Sequence, residues 1–291
     1  PISTEDMSLD LAFNWASSES KVDKLAEGMD ARQLFRAYWG TFLYANVGEE
    51  WGIIKGTGYK KHENGERLVN PETGYYYVEN NLEFGSILPD YTGGFRVDLR
   101  YKNLDVGAFF DFQEGGQFYS ITRKFGTYSG QSSRTVGNNI LGNPIRDTVI
   151  SNAGDDSTGF VLLSNAASNS GGVLIEGVDS LGAAVSYLTD VVTWAHGSFY
   201  HRSEENMVDA SYLRFREFRV GYNVPSSLLE GFPIAGANIG FSIRNVAMLS
   251  STEKGIDPTT ASNGQGDGFS YWEGGVLPST RAVSVNLKLT F

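Results

Sequence analysis

The chain closes on Ala282-Val283-Ser284-Val285-Asn286-Leu287-Lys288-Leu289-Thr290-Phe291. In an extended strand, successive side chains point to opposite faces. Val283, Val285, Leu287, Leu289 and Phe291 therefore share one face, and Ser284, Asn286, Lys288 and Thr290 the other. A strand of about 9–11 residues, apolar on one face and polar on the other, has the length and pattern of a membrane-spanning β-barrel strand. A half-solvated soluble sheet alternates in the same way, so the decision rests on the rest of the chain.

The pattern recurs upstream. Met7, Leu9, Leu11, Phe13 and Trp15 alternate with Ser8, Asp10, Ala12, Asn14 and Ala16. Phe95, Val97, Leu99 and Tyr101 oppose Arg96, Asp98, Arg100 and Lys102; after a tight turn at Lys102-Asn103, Leu104, Val106, Ala108, Phe110 and Phe112 continue the apolar face. Four charged side chains in a row would be ruinous in a dry core. They suit a wet lumen, and equally a solvated outer face. Between Ala210 and Val224, Leu213 and Phe215 are out of phase with Phe218, Val220 and Tyr222, which predicts a bulge near Arg216-Glu217. A further strand spans Asn238 to Val246. Weaker strands are read at Lys21 to Glu27, Trp51 to Lys60 and Glu66 to Val78, the last two joined by an Asn-Gly turn at His62 to Gly65. Asp30 to Ala37 reads as a helical turn. The sum is roughly nine strands in an all-β, transmembrane antiparallel barrel with long outer loops.

Composition agrees. The 291 residues include 35 Gly, 8 Pro, 13% aromatics and no Cys, which excludes a disulfide framework and a thiolate metal site. A net charge of −11 argues against nucleic-acid binding. No apolar run is long enough for a transmembrane helix, as alternation dictates for a barrel. With Phe291 on the inner side of the membrane, Ser120 to Glu205 and Ser250 to Arg281 become outer loops. Ser17 to Ser20, His62 to Gly65, Lys102-Asn103 and Pro225 to Ala235 become inner turns.

Two blocks carry a family resemblance. One runs Ala210-Ser211-Tyr212-Leu213-Arg214-Phe215-Arg216-Glu217-Phe218-Arg219-Val220-Gly221-Tyr222-Asn223-Val224-Pro225, then Ser242-Ile243-Arg244-Asn245-Val246, Lys254-Gly255-Ile256-Asp257-Pro258, and Pro278 and Arg281. The other runs Gly85-Ser86-Ile87-Leu88-Pro89-Asp90-Tyr91-Thr92-Gly93-Gly94-Phe95, then Tyr101-Lys102-Asn103-Leu104 and Gly115-Gly116. In order and combination they resemble the C-terminal end of SusC/RagA-family TonB-dependent outer-membrane transporters of Bacteroidota. Thr259, where the family often has an acidic residue, and Val246, where Leu is usual, depart from the pattern.

The resemblance implies an importer of oligosaccharides or peptides, driven through TonB and capped by a SusD-like lipoprotein. Phe291 resembles the terminal aromatic read by the barrel-assembly machinery. Nine strands cannot close a 22-stranded barrel, and the chain opens at Pro1-Ile2-Ser3 without Met or export signal. Residues 1–291 are accordingly expected to be a C-terminal barrel section, with plug and earlier strands outside this chain. The alternative is a soluble secreted β-sandwich or lectin-like glycan-binding module.

Phe269, Tyr271 and Trp272 in the last outer loop are candidates for stacking on sugar or packing on a partner, against a plain loop-packing role. His196, His201, Glu204 and Glu205 match no metal-ligand spacing. Asp155, Asp156, Asp257 and Asp267 offer oxygens to Ca²⁺ without EF-hand spacing; no cofactor is otherwise expected. No nucleophile elbow, phosphate loop or dinucleotide fingerprint is present, so no enzyme is expected.

Overall fold

The computed structural model describes residues 2–36, 40–153, 159–261, 271–277 and 279–291. Six long strands build the main sheet: β1 (Met7–Ser17), β2 (Tyr91–Tyr101), β3 (Leu104–Glu114), β4 (Tyr212–Val224), β5 (Gly236–Ser251) and β6 (Ala282–Thr290). They pair antiparallel in chain order, with the two-residue Ile2–Ser3 strand beside β1. The sheet is a meander that sends its three long insertions to one end. At the other end lie the short connections: residues 4–6, the Lys102-Asn103 turn, where Lys102 takes φ +51° and its N donates to the Asp6 carbonyl, and the 225–235 connection.

Alternation sorts the sheet into two faces. Leu11 and Phe13 are 69% exposed, Val285 73% and Phe291 83%; Trp15, Ile239, Val283 and Leu287 are exposed on the same side. Cross-strand pairing lines Phe95, Phe110 and Phe215 into a stack at 4.4 and 4.5 Å. Trp15, Tyr91, Phe112 and Phe13 cluster at one rim, and Tyr101 and Tyr222 mark the other. An eleven-residue strand is about 35 Å long, and tilted at about 45° it rises roughly 25 Å, the height of a lipid-facing band between aromatic girdles. None of the buried hydrophobic clusters contains a residue of this face; they are centred on Leu43, Phe118, Val69 and Val149.

The bulge forms where phase predicted it. Phe109 pairs with Glu217 and Phe110 with Phe215, which leaves Arg216 as the extra residue. The strand inventory differs from the sequence reading in its placement. Ser17 lies opposite Tyr91, and Ser17 Oγ donates to the Asp90 carbonyl at 3.0 Å. Ser17 to Ser20 therefore opens the long-loop end, and residues 18–90 stay there, the His62 to Gly65 turn included. The reason is that β1 pairs directly with β2 across that long insertion. Ile53–Tyr59 is buried on both faces, so it belongs to a water-side core. Asp30 to Ala37 is extended over Ala31–Arg36, held in register by Phe42–Asn46. No strand is found among Lys21 to Glu27.

At the long-loop end the three insertions interleave into a cap. A four-stranded sheet joins Ala31–Arg36, Phe42–Asn46, Ile53–Tyr59 and Val78–Ser86, and a three-stranded one joins Phe160–Leu162, Ala184–Thr189 and Val173–Val178. A third takes Met207–Asp209 and Gln117–Ser120 from one insertion and Trp272–Glu273, parallel, from another. Helix α1 (Ile121–Tyr128) follows, its first turn capped by Ser120 Oγ accepting from Arg123 N at 3.0 Å.

Candidate functional site

The polar face of the main sheet is a charge ladder. Asp98 accepts from Arg96 Nε and Arg219 Nη2, both at 2.6 Å. Arg100 Nε donates to Asp105 at 2.8 Å, Asn223 to Asp105 at 3.0 Å, and Arg244 to Glu217 at 3.2 Å. Gly107 sits in register between Asp98 and Arg219. A Cβ there would lie 2.4 Å from Arg219 Nε and 2.6 Å from Asp98 Oδ1, so glycine leaves the gap through which this pair bridges two strands across β3. Arg96, Asp98 and Arg100 thus share one face, as expected. Lys102 leaves it for the turn, its Nζ 5.7 Å over the Tyr101 ring. Asp98→Asn is expected to cost under about 1 kcal/mol in chemical unfolding, because these side chains are half in water.

Where the ladder reaches the cap, the bulge turns Arg216 onto Asp111 and Arg214 onto Asp257. Asn245, at φ +52°, anchors the last insertion: its amide donates to the Thr280 carbonyl at 2.9 Å, and Arg281 Nη2 donates to the Val246 carbonyl at 2.6 Å. Asp257 caps the turn Pro258–Thr260. Burial alone would raise its pKa, but hydrogen bonds from Ser279 and Thr259 and the Arg214 charge outweigh burial and hold the carboxyl below its usual 3.8. A folded-state pKa below the unfolded one stabilises the fold above the unfolded value, and that contribution is lost as pH falls through the folded one. Hydrogen-exchange protection of the Thr259 and Thr260 amides, which donate to Asp257, should accordingly hold at neutral pH and drop below about pH 3.8.

The cap has its own charged hub. Glu205 faces three guanidiniums, Arg67 at 3.6 Å, Arg134 at 3.7 Å and Arg123 at 4.0 Å. Glu253 faces Arg123 at 3.4 Å and Arg134 at 3.7 Å. Glu204 accepts from Tyr59 N at 3.0 Å and lies 3.7 Å from Arg67. The Tyr59 phenol donates to Glu205 at 2.8 Å under the Arg67 guanidinium, 4.0 Å from its ring. Burial, with Glu205 adding to it, pushes that phenol well above the tyrosine range, so it stays a donor. The hub ties all three insertions together. Its members are scattered from Tyr59 to Glu253, and no local spacing announces them.

The remaining candidates fall elsewhere. Tyr271 is 0% exposed, its ring edge-on to Phe35 at 6.1 Å in the cluster of Leu43 and Ile54; Trp272 packs partly buried against the same cluster. Loop packing describes these contacts. Phe269, Asp155, Asp156 and Asp267 lie outside the described residues. Glu204 and Glu205 are engaged by arginines, His196 stacks on Tyr128, and the described residues contain no cluster of three or more metal-ligating side chains.

No protein-family model matches the chain. Two TonB-dependent receptors of Formosa agariphila are similar to it, one 28% identical over 145 residues (42% of this chain), the other 24% identical over 243 (80%). Solved structures of the RagAB peptide importer, in its open-open and closed-closed states, match over 100% of this chain with TM-scores of 0.59 and 0.57, each at 16% identity. A RagAB peptide transporter structure matches at 0.60 and 18%. The chain spans 14% and 20% of the two receptors and 27–28% of the RagAB chains. The SusC/RagA resemblance is thereby borne out, in sequence by TonB-dependent receptors and in fold by the RagAB structures.

Proposed function

We propose that this chain forms part of the wall and outer cap of a SusC/RagA-like, TonB-dependent importer in the bacterial outer membrane, carrying oligosaccharides or peptides. The observation that carries the reading is the two-faced sheet. One face exposes a band of Leu, Val and Phe that no second layer covers, and the other bears the Asp98–Arg219 ladder. A soluble sandwich or lectin-like module would bury those apolar faces against each other. Lipid takes the band, and the ladder lines a wet lumen, where Arg96, Asp98 and Arg100 contact the plug. The free edge of β6 needs a further strand, because lipid leaves no partner for unpaired backbone. Phe291 is the barrel-assembly signal. A SusD-like lipoprotein closes over the cap, and TonB acts through the plug.

The test is uptake by intact cells. Labelled oligosaccharides and peptides should accumulate only with both the gene and energised TonB present. Uptake persisting without TonB would end the transport reading. Release of the native protein into buffer without detergent would end the membrane reading as well.

A further inference from the structure

A cavity of about 400 Å³ opens in the cap between α1 and a second helix, which starts as Val191–Thr193 and continues as a π-helix over Trp194–Phe199. The π-turn is real in its hydrogen bonding: Tyr200 N donates to the Ala195 carbonyl five residues back, at 3.2 Å. Isolated π-turns cost backbone geometry and gather at functional sites. Here the turn places His196 on the cavity wall. Its ring stacks on Tyr128 at 4.0 Å and 18°, with Nε2 3.0 Å from the Tyr128 carbonyl oxygen. Val191 and Val192 extend the apolar wall, and Tyr128 and Val192 are exposed.

The polar side of the cavity is built too. Arg146 is clamped by three acceptors: Nε donates to the Thr135 carbonyl at 2.7 Å, and Nη2 to the Gly130 carbonyl at 2.6 Å and Thr135 Oγ1 at 2.9 Å. Nη1 makes no hydrogen bond among the described residues. Thr127 lines the same cavity, 0% exposed, and its hydroxyl has no hydrogen-bond partner among the described residues. No carboxylate lines the wall among the described residues, and nearby Asp190 is spent on capping, accepting from Thr193 N at 2.9 Å. In a chain of net charge −11, the one charged group among the described residues of this wall, Arg146, is a cation.

We propose that this cavity binds an acidic sugar, a pyranose ring carrying one carboxylate. The flat stack and valines take the C–H face of the ring, and the fixed guanidinium takes the carboxylate by a charge-assisted hydrogen bond. A rigid ring fits the stacked wall better than a flexible peptide carboxyl terminus. The proposal uses the importer reading only for the side of the membrane the cavity faces; binding itself needs neither TonB nor transport.

The test is calorimetric titration of the detergent-purified native protein with a tetramer of galacturonic acid and with its fully methyl-esterified form. The acid is expected to bind about tenfold or more tighter than the ester. Arg146→Gln should bring the acid down to the level of the ester, and Tyr128→Ala should weaken both. Arg146 also tethers its own loop, so Val192→Asp serves as the second variant. It sets a carboxylate at the exposed mouth and should weaken the acid while sparing the ester. Equal binding of acid and ester, indifference to Val192→Asp, or equal affinity for an acidic tetrapeptide would each overturn the proposal.

Discussion

Val285→Arg is expected to destabilise the protein by about 2–4 kcal/mol, while Asn286→Arg, one residue along β6, costs about 0.5 kcal/mol or less. Val285 is 73% exposed, so in water the change would be nearly free. In lipid it places a guanidinium in hydrocarbon with no lumen to turn to. Asn286 lies on the polar face, opposite Gly240, where an arginine has space and water. Leu289→Arg, near the rim, should fall to about 0–1 kcal/mol, because the cost declines toward the interface. Denaturant unfolding in bilayers, with assembly yield beside it, reads all three. Equal effects at Val285 and Asn286 would remove the membrane from the account.

Glu205→Gln should cost about 3 kcal/mol and confine its damage to the cap. Glutamine keeps the volume and still accepts from the Tyr59 phenol, but Arg67, Arg123 and Arg134 lose their common anion. Removing one partner from a mostly buried cluster costs far more than the intact cluster contributes, because like charges are left facing each other. Hydrogen exchange should quicken in Ile53–Tyr59 and α1 and stay unchanged in β2 and β3. Adding Arg134→Gln should restore part of the loss by removing a surplus cation, a coupling that a double-mutant cycle measures. Uniform loosening of cap and sheet would show that the hub does not set cap stability separately.

Sequence patterning was most legible where one physical constraint acts on consecutive residues. In β2, β3 and β6, an apolar face on one side and a polar face on the other impose period 2, and each strand can be read alone. The bulge at Arg216 was legible for the same reason, since Leu213-to-Phe215 and Phe218-to-Tyr222 cannot share a face without an extra residue. The cap was not legible. Ala31–Arg36 is a strand only because Phe42–Asn46 pairs with it, and its own residues carry no alternation strong enough to say so. The strand Ile53–Tyr59 was visible, but its burial on both faces, which takes it out of the main sheet, depends on Glu204, Ser203 and Tyr271 arriving from far along the chain.

Tyr271 completes the cluster begun by Leu43 and Ile54, and Trp272–Glu273 supplies the third strand beside Gln117–Ser120. These contacts join residues more than 150 positions apart. Non-local closure of this kind is slow, because the chain entropy must be spent before the contacts repay it. The order of events follows. Strands β1 to β5 can zip pairwise as they arrive, but the cap stays open until the segment just before β6 is in place. Closure of the outer surface and docking of the final strand are therefore nearly simultaneous, so a half-assembled intermediate is marked by an unsealed aqueous domain as much as by an unpaired strand. Protease access to the Leu43–Ile54 region is accordingly a clock for the docking of β6.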